Sequence, residues 1–188
     1  MKKSIFILVA TFVFMSCKKE IIRETTTIHN NNTNEGVGPF SLGKDTLGGI
    51  VYYIYIGSDG NQHGLIVNKN QTLAKWQDTA TLINADRTED GAYNTSLMIN
   101  STAATYVRSF GGDWFLPSID ELALLYNNRF LTNKALREGG FTLLTNTDSY
   151  WSSTERTATN SFGFFFDAGY VFLQNKGVTL SVRAVRSF

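Results

Sequence analysis

Residues 48–67 read Gly48-Gly49-Ile50-Val51-Tyr52-Tyr53-Ile54-Tyr55-Ile56-Gly57-Ser58-Asp59-Gly60-Asn61-Gln62-His63-Gly64-Leu65-Ile66-Val67, and this stretch sets the class of fold. Ile50–Ile56 is a run of β-branched and aromatic residues, a composition that fits a pleated, buried surface. Gly57-Ser58-Asp59-Gly60-Asn61 is turn chemistry: glycine tolerates left-handed backbone, and Asp and Asn bond their own main chain. His63–Val67 then returns as a second strand. The folded part, starting near Gly38, therefore opens with a β-hairpin.

Downstream the apolar period changes. Thr95 to Phe110 carries Leu97, Ile99, Ala103, Ala104, Val107 and Phe110, mostly three or four apart. That spacing predicts one helix, stopped by Gly111-Gly112. Trp114-Phe115-Leu116-Pro117 leads into a second helix. There Ser118 and Glu121 have capping-box spacing: the hydroxyl accepts from the N3 amide and the carboxylate accepts from the cap amide. Ile119, Leu122, Ala123 and Tyr126 form its apolar stripe. The rest is all strand: Tyr150–Ser153, Phe162–Phe166, Tyr170–Leu173 and Val178–Arg186. Asp167-Ala168-Gly169 and Asn175-Lys176-Gly177 are the turns. A hairpin, two helices and a C-terminal antiparallel meander give an α+β order, not βαβ.

Upstream, Lys2-Lys3, the apolar run Ile5–Phe14 and Ser16-Cys17 have the layout of a secretory signal peptide. The run is too short to span a membrane, which takes about 20 apolar residues. Its ending resembles a bacterial lipobox. Residues 1–16 are then the signal peptide, and Cys17 is the lipidated first residue that attaches the protein to the outer membrane, facing periplasm or exterior. Residues 17–37 form a polar tether, with Thr25-Thr26-Thr27 and Asn30-Asn31-Asn32. Such a stretch cannot bury enough apolar surface to offset chain entropy. Residues 38–188 are one domain. Removing Lys2 and Lys3 turns a net charge of +1 into −1. A near-neutral chain exerts no global pull on nucleic acid, so that partner is excluded. With Cys17 lipidated, no thiol is left for a disulfide or a nucleophile. Zinc is excluded too, because His29 lies in the tether and only His63 remains.

Four blocks carry a family likeness. Gly48–Tyr53 with His63–Val67, Asp113-Trp114-Phe115-Leu116-Pro117-Ser118 with Glu121-Leu122, Tyr150-Trp151-Ser152-Ser153-Thr154-Glu155, and Val182-Arg183-Ala184-Val185-Arg186 run in order over residues 47–188. The chain resembles the Legionella collagen-like protein C-terminal domain family and the related Fibrobacter succinogenes major paralogous domain. The resemblance implies a single C-type lectin-like domain, akin also to formylglycine-generating enzymes. It implies extracellular binding or adhesion, with glycosaminoglycan the namesake's ligand. The copper and cysteine chemistry of the enzymatic relatives has no thiol here to use.

Candidate contact residues follow from side-chain chemistry. Acids, amides and an aromatic ring recognise sugar hydroxyls, directly or through calcium. The polar loops offer Trp76, Glu155, Asn160, Asp167 and Asn175. Trp76, between Lys75 and Gln77, reads either as an exposed sugar platform or as packing over the hairpin. Trp114 and Trp151, flanked by apolar residues, read as core. Asp86, Thr88, Asp90 and Gly91 open with EF-hand spacing, but the twelfth position is Leu97, where a bidentate Glu is required. Calcium on Asp86 and Asp90 would need a looser site, and no other cofactor is implied. Arg183 and Arg186 face opposite sides of a strand. The inward one needs a partner, such as Asp113 or Glu155. The expected function is non-catalytic binding of carbohydrate or surface glycan. The alternatives are a protein-interaction module, using rings among Phe164–Phe166, and a glycan hydrolase using a pair such as Glu155 and Asp167.

Overall fold

The computed structural model describes residues 38–145 and 147–188. The signal peptide, Cys17 and the tether lie outside the described residues. Strands β1 (Asp45–Thr46), β2 (Gly49–Ile56) and β3 (Gln62–Lys75) come first. Helices α1 (Gly91–Leu97), α2 (Thr102–Arg108), α3 (Ile119–Asn127) and α4 (Arg129–Glu138) follow. Strands β4 (Ser149–Glu155), β5 (Asn160–Phe165), β6 (Tyr170–Asn175) and β7 (Thr179–Ser187) close the domain. All seven strands join one sheet in the order β1-β2-β3-β7-β4-β5-β6.

The sheet is buried on both faces, which explains why its central strands read as unbroken apolar runs rather than alternating ones. Ile50, Tyr52, Leu65, Val67, Tyr150 and Val185 meet Ile119, Leu122 and Leu125 of α3 and Leu136 of α4. Val51, Ile66, Trp151, Val182 and Ala184 point the other way, onto Ala103, Ala104 and Val107 of α2, Met98 and Trp76. The architecture is thus three layers, with α3 and α4 on one face and α1 and α2 on the other.

The α+β order and the opening hairpin are as expected: β2 and β3 pair antiparallel from Gly49↔Asn68 to Ile56↔Gln62. Two expectations change. The antiparallel meander ends at β6. Strand β7 leaves it to lie antiparallel against β3, from Leu65↔Ser187 to Lys75↔Thr179, and touches β4 in parallel at Tyr150↔Ser181. Burial dictates this: β7 buries five consecutive residues, Ser181–Val185, and so takes the centre, while the half-exposed β6 takes the edge. The single helix over Thr95–Phe110 is two. Asp90 caps α1 by accepting from Tyr93 N at 2.8 Å, and Ser101 caps α2 by accepting from Ala104 N at 3.1 Å. Ile99, counted in the apolar stripe, lies in the break between them and is 78% exposed. Helix α4 was not legible, because it buries only Thr132 and Leu136.

Candidate functional site

The cleft that combines aromatic faces with acids lies beside the outer half of the hairpin. It begins with a β-bulge. Val51 pairs with Ile66, but the next partner, Leu65, stands opposite both Tyr52 and Tyr53. The extra residue reverses the alternation beyond that point. In a regular strand Tyr53 and Tyr55 would share the face of Val51. Here Tyr53 packs with Tyr52 and Leu65 against the α3 layer, while Ile54 joins the opposite face. Tyr55 lies directly across from His63 and stacks on it, with ring centroids 5.5 Å apart. Tyr53 and Tyr55 are 5.9 Å apart.

His63 is steadied by Asp59, whose two carboxylate oxygens each lie 3.1 Å from Nε2. Hydrogen bonds from the side chain and main chain of Asn61, with His63 behind them, lower the Asp59 pKa to about 2. The turn thus pins the imidazole in place at the rim.

Further lining residues come from α1, the two residues before it, and α3. Glu121 completes the capping box with Ser118: Ser118 N donates to Oε2 at 2.7 Å, and Glu121 N donates to Ser118 Oγ at 3.3 Å. Burial of this carboxyl raises its pKa to about 7, against the hydrogen bonds from Ser118, and nearby Asp90 adds to the rise. Gly91 makes room for it. A Cβ there would stand 2.6 Å from both Leu116 O and Ser118 N and would strike the Glu121 carboxylate. Tyr52, in the core behind, has a buried hydroxyl without a hydrogen-bond partner among the described residues, and burial raises its pKa.

Together these groups line a cleft of about 520 Å³, within the range of small-molecule sites. Tyr53, Tyr55 and His63 form one wall. Leu65, Ala92, Phe115, Leu124 and Phe188 are its apolar residues, and Glu89, Asp90 and Glu121 supply acids. A second groove, also of about 520 Å³, adjoins it across Ala92, Phe115 and Ser187 and holds Arg108 and Asp113. The guanidinium of Arg108 there is bound to Met98 O and Thr95 O. A third groove, on α4, is basic: Arg129, Lys134 and Arg137 surround Phe130, which is 77% exposed.

Of the residues predicted for ligand or metal binding, Asp90 lines this cleft and the others lie elsewhere. Trp76 is fully buried, not a loop platform, and its indole N–H donates to Ser152 O at 2.8 Å. Glu155 is buried as well, ion-paired with Lys176 and accepting from Ile83 N and Ala85 N. Lys176 also donates to Thr81 O and lies 4.5 Å from the Trp76 ring centroid. The structure does bring Trp76 and Glu155 into one neighbourhood, but as an interior clamp that fixes residues 81–85 to β4. Glu155 cannot pair with Asp167 across a hydrolytic cleft: Asp167 is exposed in the β5–β6 turn. Asn160 and Asn175 face each other at the opposite end of that hairpin. Asp86 is exposed, and Asp90 caps α1 and pairs with Arg87 at 2.8 Å. Among the described residues no three His, Cys, Asp or Glu side chains gather as a metal site would require. Arg183 is the inward arginine, but its partners are the carbonyls of Asn68 and Thr142, not a carboxylate. Its burial lowers its pKa, and its Nε has no hydrogen-bond partner among the described residues.

A three-layer α+β domain with this strand order has relatives. The model of the Lcl C-terminal domain matches residues 65–186, and the chain belongs to that family. No curated protein matches the chain. Among solved structures, the fold is similar to that of a fimbrial protein from Bacteroides ovatus, at 16% identity and a TM-score of 0.58. The match covers 74% of this chain and 44% of the fimbrial protein, so the chain spans less than half of that protein's length. The family match takes in Glu89, Asp90, Phe115 and Glu121. Tyr53, Tyr55 and His63 precede it.

Proposed function

We propose that the protein is a lipid-anchored adhesion module of the cell envelope, whose domain binds surface glycan in the cleft beside Tyr53, Tyr55 and His63. The cleft carries this reading. Sugars present an apolar ring face edged by hydroxyls, and here aromatic rings, carboxyl groups and phenol hydroxyls line one cleft. Neither Tyr53 nor Tyr55 makes a side-chain hydrogen bond among the described residues. The family, and a fimbrial protein as structural neighbour, agree with a surface role. Kinship with C-type lectin-like domains belongs to the same reading. So does the outer-membrane anchor on Cys17, with residues 17–37 as spacer.

Glycan-array binding of the intact protein, with and without calcium, tests the reading. Binding to a defined set of glycans is expected. The calcium arm decides whether the acids act alone or through the cation. No signal from well-folded protein on a broad array sinks the glycan reading. A protein partner is then favoured by a specific feature: β6 is an open sheet edge with Tyr170, Val171 and Leu173 about half exposed. Exposed apolar edges of this kind accept another strand.

A further inference from the structure

The charge of the cleft narrows its ligand, and this inference rests on the glycan reading above. Among the described residues no lysine or arginine lines it. Asp90 is offset by Arg87, but two acids are not offset. Glu89 is exposed and has no ion-pair partner among the described residues. Glu121 is only 9% exposed and has no ion-pair partner among the described residues; its carboxyl accepts from the main chain of Ser118 and Gly91. The nearby cations face elsewhere. Arg108 binds main-chain carbonyls, and Arg186 donates to Leu47 O and sits over Trp114.

A carboxylated or sulfated ligand would meet uncompensated like charge in this cleft, which costs affinity and suppresses that class of partner. A neutral sugar would leave the ionised form of the buried Glu121 carboxyl without a counter-charge, whereas an adjacent cation favours that form. A ligand ammonium meets both demands, and the negative faces of Tyr53 and Tyr55 attract it further. Hydroxyl-bearing edges are also called for, because Tyr53, Tyr55 and His63 offer polar groups around the rings. A bare alkyl ammonium would leave these groups unmatched.

We propose that the cleft takes an amino sugar, a glycan unit bearing an unacetylated primary ammonium group that lies between the Tyr53–Tyr55 wall and the Glu89 and Glu121 carboxylates.

The test is calorimetric titration of the full chain near neutral pH with three probes of equal length. These are a glucosamine oligosaccharide, its N-acetylated counterpart and a sulfated oligosaccharide. The glucosamine probe should bind about tenfold or more tightly than the acetylated one, a difference of about 1.4 kcal/mol. Glu121→Gln, which keeps the capping box as an amide, and Glu89→Gln should each shrink that preference, with unchanged melting temperature for Glu89→Gln. Equal or tighter binding of the acetylated or sulfated probe overturns the amino-sugar assignment and leaves the glycan reading standing. Binding of none of the three overturns the amino-sugar assignment, and on protein that also fails the broad array it overturns both readings. A lysine oligopeptide that competes as well as the glucosamine probe overturns the sugar part, since charge alone would then account for binding.

Discussion

Glu121 shows how one side chain serves both fold and cleft. As an N3 residue it caps α3, and as a buried carboxyl it forms part of the acidic wall. Its folded-state pKa, about 7, lies above the ordinary glutamate value of 4.5. The protonated form is therefore favoured by folding. Stability is fully present below pH 4.5 and declines as pH rises toward 7, by up to about 3 kcal/mol for this group alone. Asp59 acts with the opposite sign, but its contribution is lost only as pH falls toward 2, outside that window. Thermal melts across this range should show the decline in the wild type and a flatter profile in Glu121→Gln. A wild-type profile that rises through the same range contradicts the assignment. The residue was legible in the sequence as a cap, from the Ser118–Glu121 spacing. Its place in a cleft was not, because nothing in that spacing shows what packs on the other side.

At the scale of elements, the clamp of Glu155, Lys176 and Trp76 shows where reading by polarity fails. Each stands in a polar stretch of sequence, yet each is buried. A charge enters the interior only with a partner, and here the partner lies 21 residues away, across the β5–β6 hairpin. No local pattern encodes that pairing. Lys176→Met should lower stability by roughly 3–5 kcal/mol, because it leaves a buried carboxylate uncompensated. Adding Glu155→Gln should recover part of that loss. A single variant as stable as wild type in urea titration would contradict the pairing. The bulge in β2 is similarly hidden: alternation alone puts Tyr53 and Tyr55 on the wrong face, and one extra residue moves them into the cleft. At the start of α1, Gly91→Ala should cost about 1–3 kcal/mol by overpacking Leu116 and Ser118 and displacing Glu121. An unshifted melting temperature would show that α1 has room there.

For the whole molecule, the alternation of strand and helix patterns was enough to give the α+β class, the hairpin and three strands of the meander. The position of β7 needed the burial of its neighbours. The anchor is a separate claim with its own check: palmitate label should enter the wild type and be absent from Cys17→Ala. Label that survives the substitution would refute lipidation at that residue. The cleft as the ligand site is the main claim. Its most direct test is the affinity of Tyr55→Ala for the tightest glycan found on the array, measured beside Asn175→Ala. Tyr55 is half exposed, so its loss should leave the melting temperature nearly unchanged. The account predicts a drop of about tenfold or more for Tyr55→Ala, in line with loss of a ring stacked on its ligand, and no change for Asn175→Ala. Wild-type affinity in Tyr55→Ala, or a loss confined to Asn175→Ala, would contradict it.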